Sequence, residues 1–297
     1  MVAAAGTRRR KAKPKAAVKP QFISIQDLED HKNVLIYGDS GSGKTVFAGS
    51  ADDVLFISCE RNGAASAKAF GSDAKVWRIK KWADLEDAYN WLMENPDHGF
   101  KWVVLDSLTQ MQQMALRAIL DDVVAENASR DLDVPAIQDH QKWQNMFKRF
   151  VLAFCDLDTN CLFTALALRA DDEEGEPFLT PDIAGKGYQI SQYVCGQMSA
   201  YGYLKVVSAV VRDSEGKPVK DKNNVIQREE FRRIIWKDTG KVRGKDRYNV
   251  LAPYTQDKTL QEISDMIDAG PPPPVKRVNR QAAARRSSTT TRRRKTA

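Results

Sequence analysis

Eight consecutive residues have the types and spacing needed to hold a polyphosphate: Gly38-Asp39-Ser40-Gly41-Ser42-Gly43-Lys44-Thr45, a G-x-x-x-x-G-K-T loop. Glycine has no Cβ, so backbone N–H groups along this loop can turn inward toward phosphate oxygens. The Lys44 ammonium is expected to reach the β- and γ-phosphates, and the Thr45 hydroxyl to ligate Mg²⁺. The predicted ligand is a nucleoside triphosphate, ATP, with Mg²⁺. A glycine-rich turn with an incidental lysine is the plainer alternative. The flanks weigh against it. Asn33-Val34-Leu35-Ile36-Tyr37 reads as a buried strand, and residues 45–51 can open a helix whose N-terminus adds partial positive charge at the same point.

Two carboxylates could complete such a site. Lys101-Trp102-Val103-Val104-Leu105-Asp106-Ser107 is an apolar strand ending in an acid, so Asp106 is predicted to hold the Mg²⁺ through water. The alternative is a solvated strand-end aspartate. Many P-loop ATPases carry a water-activating glutamate immediately after that acid, and here the position is Ser107. The predicted base is therefore Glu60, which closely follows the apolar strand Val54–Ser58. On that rim a carboxylate could orient water in line with the γ-phosphate.

Groups at strand ends need a sheet whose carboxyl edges line up, and the remaining pattern predicts one. Residues 75–79 form a weaker strand, and residues 82–95 have helical spacing with Trp82, Leu85, Ala88, Tyr89 and Leu92 on one face. Those aromatics read as core rather than as a nucleotide-stacking box. Long helices are predicted over 108–126 and 138–156, then a strand over 161–166. This alternation predicts an α/β fold, a mainly parallel sheet flanked by helices with ligands at the carboxyl ends of its strands. From about residue 199 the texture changes. Residues 204–211 and 231–236 read as strands joined by a polar loop, 212–227, forming an antiparallel C-terminal extension, and a helix over 260–267 closes the domain.

The net charge of +7 conceals an uneven distribution. Residues 1–20 carry +7 and residues 271–297 carry +9, with no acids in either, so 30 basic residues face 39 acidic ones between them. The expectation is an acidic domain over 21–270 with a basic N-terminal arm and a Pro-rich basic tail, both disordered by composition. Pro271-Pro272-Pro273-Pro274 marks where the domain ends. Such arms suit a polyanion, because each neutralised phosphate releases counterions. Solubilising tails, or arms docked on the acidic domain, are the alternatives. No apolar run approaches the ~18 residues of a membrane span, and the N-terminus lacks the apolar stretch of a secretory signal. Cys59, Cys155, Cys161 and Cys195 show no C-x-x-C spacing and read as buried thiols in a reducing cytoplasm. His31, His98 and His140 are scattered, so no histidine-based metal site is expected.

With Glu60 after the second strand and Val103-Val104-Leu105-Asp106-Ser107 as the metal strand, the sequence resembles the RecA/Rad51 recombinase core. The closer resemblance is to phage RecA-like nucleotide-binding proteins of AAA type, which are associated with single-strand annealing in recombination. It spans residues 34–267 and is strong around the motifs. Lys241-Val242-Arg243-Gly244-Lys245-Asp246-Arg247-Tyr248-Asn249-Val250-Leu251-Ala252-Pro253 resembles the family's late basic segment before a proline. The resemblance implies that Lys245 and Arg247 reach across a subunit interface to a neighbour's γ-phosphate, in a ring or filament of identical chains. A basic hairpin or a DNA-facing surface is the alternative for these two residues. The family's polar sensor would fall at Thr164 or Arg169, neither of which is a clear match. The family's DNA-binding loop would fall over 170–188, where Asp171-Asp172-Glu173-Glu174 would repel phosphates while Lys186 and Tyr188 could touch DNA.

Two functional classes follow from these residues. One is an ATPase that assembles on single-stranded DNA and uses ATP to control that assembly, in an annealing rather than a full strand-exchange role. The other is a nucleotide-gated DNA-binding protein in which hydrolysis is slow or absent. A packaging or partition motor is possible on the same fold, and a small-molecule kinase is more distant. No membrane is implied, and the expected location is the cytoplasm, that of the host cell for a phage protein.

Overall fold

The computed structural model describes Ser24, Ile25 and residues 31–183 and 189–271. The N-terminal arm, nearly all of the tail, and Lys186 and Tyr188 lie outside the described residues. Every helix and strand named below belongs to the unit that begins at His31.

The short apolar runs of the central strands are buried on both faces, which suits β-branched and aromatic residues, whereas the outermost run is largely exposed. Asn33–Gly38 (β1), Val54–Ser58 (β2), Lys75–Arg78 (β3), Trp102–Asp106 (β4) and Asn160–Asp171 (β5) lie parallel in the order β3-β2-β4-β5-β1. Ala200–Val210 (β7) continues the parallel sheet beyond β1, pairing Val34 with Ala200 and Tyr37 with Tyr203. The antiparallel extension starts only with Arg228–Ile235 (β8), Lys245–Asp246 (β9) and Tyr254–Gln256 (β10), so the change of texture near residue 199 does not mark the parallel boundary.

Alternation along these strands divides the core between two faces. Leu35, Tyr37, Leu55, Ile57, Val103, Leu105 and Phe163 pack against Trp82–Glu94 (α3), Leu108–Glu126 (α4) and Ile137–Cys155 (α5). Val34, Ile36, Phe56, Val104 and Leu162 face Lys44–Ala48 (α1) and Leu260–Asp268 (α7). The start of α7 is fixed by a reciprocal cap: Thr259 Oγ1 accepts from Glu262 N at 3.1 Å and Glu262 Oε2 accepts from Thr259 N at 2.8 Å. Leu260 N donates to Ser50 Oγ at 2.8 Å, which ties α7 to the segment after α1.

Several elements differ from the sequence expectation. α1 is five residues long rather than a helix over 45–51. β5 runs past residue 166 because Pro177–Pro181 (β6) pairs antiparallel with residues 167–171. The segment expected as a DNA-binding loop is thus largely a hairpin, whose acidic turn is held by Asp172 Oδ1 accepting from the N–H of Glu174 and Glu176. Gln189–Gln197 (α6) is a further helix, a short mixed run without a clear apolar stripe. Ala65–Ala69 (α2), between β2 and β3, is likewise additional. The four cysteines are free thiols, with Cys161 and Cys195 buried.

Candidate nucleotide site

Parallel register brings the polar strand ends to one rim. Ser58 pairs with Asp106, and Ile36 with Thr164, so Gly38, Thr164 and Asp106 follow the alternation of Ile36, Leu162 and Val104 onto the α1 face. There Asp106 borders a cleft of about 380 Å³ that is also lined by Lys44, Thr45, Glu60 and Arg232 among others. The cleft brings Lys44 and Thr45 of the loop together with Glu60 and Asp106.

The loop has the backbone a phosphate cradle requires. Gly43 has φ +99°, and a Cβ there would lie 2.5 Å from the Arg232 Nε. A Cβ on Gly38 would lie 2.2 Å from the Leu204 carbonyl oxygen of β7. No other residue fits either position without displacing a neighbour. Since α1 is so short, its dipole adds little, and the loop N–H groups themselves must supply the attraction for an anion. Asp39 is anchored by Tyr203, whose hydroxyl donates to its Oδ2 at 3.2 Å.

Lys44 Nζ donates to the loop's own carbonyls, Gly38 at 2.8 Å and Asp39 at 2.9 Å. Burial holds its pKa below the ordinary lysine value, against the opposing pull of Asp106, Asp39 and Glu60. Thr45 Oγ1 donates to Asp106 Oδ2 at 3.0 Å, and Thr164 Oγ1 donates to Asp106 Oδ1 at 2.5 Å. Burial raises the Asp106 pKa, although both hydroxyls and Lys44 favour the charged form. Asp106 is therefore not a solvated strand end: it is 9% exposed, with a hydroxyl on each oxygen.

These residues fit ATP and Mg²⁺. The Ser42 hydroxyl, inside the loop, is buried and has no hydrogen-bond partner, a costly state that a phosphate oxygen would relieve. Thr45 and Asp106 form the hydroxyl–carboxylate pair that a magnesium ion takes when its remaining ligands are water and phosphate. Held by Thr45 and Asp106, the ion would neutralise phosphate charge.

The preceding turn sets Glu60 in place. Cys59 N donates to the Asp106 carbonyl at 3.2 Å, which fastens the end of β2 to the end of β4. Glu60 is exposed on the cleft wall, available to solvent water.

Lys245 and Arg247 lie elsewhere within the chain. Lys245 Nζ donates to the carbonyls of Cys195 at 3.2 Å and Gly196 at 3.1 Å, and Arg247 Nη2 donates to Gly196 at 3.2 Å. They cap the last turn of α6, where cations offset unpaired carbonyls. Neither residue lines the cleft.

Two further groups belong to the site: Thr164, offered by the sequence only as an unclear sensor match, and Arg232. Thr164 holds Asp106 from β5, the strand between the loop strand and the Asp106 strand. Its neighbour in the sensor reading, Arg169, pairs in register with Leu179 of the β5–β6 hairpin. Arg232 comes from β8. The signal that could have found it is the alternation Trp236, Ile234, Arg232, two buried apolar residues that place the arginine on the α1 face.

Thr164→Val keeps the shape but removes a donor from a buried carboxylate. It should cost about 1–3 kcal/mol of stability, read from the denaturation midpoint, and raise the Mg²⁺ concentration needed for half-maximal turnover. An unchanged midpoint and an unchanged Mg²⁺ requirement would show that Thr164 does not hold Asp106.

Residues 30–248 match the AAA domain family, which covers most of the chain, and the chain belongs to that family. It is an AAA-type, nucleotide-binding P-loop ATPase, and its mostly parallel sheet flanked by helices is consistent with that class. No curated protein matches the chain. Among the described residues no helix is long and apolar enough to cross a membrane.

Proposed function

We propose that this chain is a RecA-like, Mg²⁺-dependent ATPase that acts on single-stranded DNA in recombination of the annealing type, as in phages. The observation that carries the reading is the source of the second carboxylate. Glu60, after β2, lines one cleft with Lys44 and Asp106, while the residue following Asp106 is Ser107. Lys44 holds the phosphate chain, Thr45 and Asp106 hold the ion, and Glu60 orients the attacking water and takes up its proton. The basic arms support a DNA partner by charge.

Assembly into a homo-oligomer, ring or filament, belongs to the same reading. Lys245 and Arg247 would then exchange their contacts with the end of α6 for the phosphates of a neighbouring subunit. A cation delivered in this way stabilises charge in the transition state and couples turnover to assembly.

The test is ATP turnover and DNA affinity of the full chain, and of a variant without residues 1–20 and 271–297, across a salt series with single-stranded and duplex DNA. Single-stranded DNA is expected to raise turnover. Loss of the arms should flatten the dependence of affinity on salt, because fewer phosphates are neutralised. Absent binding and unchanged turnover with either DNA would rule out the DNA role. Nucleotide-dependent DNA binding without turnover would instead identify a nucleotide-gated binder.

A further inference from the structure

Arg232 stands at the mouth of the nucleotide cleft and has no part in the catalytic assignment above. In β8 it pairs with Val206 of β7, whereas Tyr37, near the end of β1, pairs with Tyr203. Arg232 is therefore carried past the end of β1, to the level where the phosphate loop turns. Its backbone is pinned there: Arg232 N donates to Asp257 Oδ1 at 2.7 Å, and Asp257 N donates to the Arg232 carbonyl at 2.8 Å.

The side chain leans over the loop. A Cβ on Gly43 would meet Arg232 Nε at 2.5 Å and Cδ at 2.9 Å. The guanidinium rests 5.2 Å from the ring centroid of Phe70, which follows α2 and is 65% exposed. Both residues line the cleft. The cations that line this cleft are Lys44 and Arg232, and the acids are Glu60 and Asp106. Arg232 also borders a smaller pocket of about 160 Å³ between α1 and the β8–β10 edge, with Val46, Phe47 and Ile234.

A guanidinium on an exposed ring is weakly held, whereas bidentate hydrogen bonds to phosphate are charge-assisted and directional. We propose that Arg232 is a phosphate-binding residue supplied from within the chain, which rests on Phe70 and transfers to the phosphates when a nucleoside di- or triphosphate enters. Because it lies over Gly43, in the loop whose backbone N–H groups cradle the α/β-phosphates, its target is the phosphate region that both nucleotides share. This rests on the assignment of the cleft as a nucleotide site and adds a ligand to it.

The test is isothermal titration of the full chain with Mg²⁺–ATP and Mg²⁺–ADP. Arg232→Gln should weaken both by about tenfold or more, and to a similar extent. Arg232→Lys should restore only part of the loss, because an ammonium lacks the fork. Phe70→Ala should tighten ATP binding severalfold, since the resting contact no longer competes. Melting temperatures without nucleotide serve as the control for folding. Wild-type affinities in Arg232→Gln, alongside lost binding in Lys44→Ala, overturn this inference and leave the nucleotide site standing. Equal weakening by Phe70→Ala and Arg232→Gln overturns it too, because the ring would then be a ligand contact. Failure of the wild type to bind either nucleotide overturns the site and the inference together.

Discussion

Lys44→Ala is expected to reduce ATP turnover by about 10²–10³-fold, the usual cost of removing one preorganised group that meets developing charge. Lys44 already stands inside the loop, held by the carbonyls of Gly38 and Asp39, so its ammonium has only a short distance to travel to a bound phosphate. Those contacts orient it without neutralising it. The same substitution should weaken ATP binding by about tenfold or more, since hydrogen bonds to charged groups contribute ~1.5–3 kcal/mol. Folding should be little affected: burial lowers the Lys44 pKa, so its charge is a cost that the empty fold bears. Turnover, nucleotide titration and melting temperature of the variant check all three statements. Normal turnover in a folded Lys44→Ala protein would remove the phosphate loop from the reaction.

Glu60→Gln is expected to separate binding from hydrolysis. Glutamine keeps the size and a hydrogen-bonding carbonyl but cannot accept a proton from water, and general-base contributions are typically about 10²–10⁴-fold. Turnover should fall by that order while ATP affinity stays near that of the wild type, because Glu60 lies on the cleft wall rather than in the loop. Local geometry makes this a clean test. A Cβ on Gly63 would come within 2.6 Å of Ser58 Oγ and 3.2 Å of Glu60 Cβ, so the turn closes against Glu60 only because residue 63 is glycine. An isosteric change at Glu60 leaves that turn intact. Single-turnover hydrolysis with binding measured in parallel decides the matter, and unimpaired hydrolysis would place the base elsewhere.

The strands that carry this site were legible because each is a short apolar run buried on both faces, and such runs declare themselves without partners. Val54–Ser58 occurs as read, and the boundaries of β1 and β4 differ by a residue or so. The helices α3, α4 and α5 were equally plain from their period. The β5–β6 hairpin was not, because its turn lies within an acidic run that reads as loop and the outer half of β5 is largely exposed. The parallel pairing of β7 with β1 was hidden for another reason. Their partners are more than 160 residues apart, and nothing local shows that the first arm of the β7–β8 hairpin also pairs parallel with β1. The placement of Lys245 and Arg247 shows the same limit, since a basic pair near a proline carries no information about which carbonyls it will meet.

What the sequence determined by itself is therefore the phosphate loop and the two acids at strand ends. A loop conformation set by glycines, and a carboxylate ending an apolar strand, are short-range properties. Register and face came only with the tertiary structure. It set Thr164 against Asp106, swung Arg232 over Gly43 and turned Lys245 and Arg247 to α6, because contacts between distant strands depend on the pairing of the whole sheet rather than on the residues beside them.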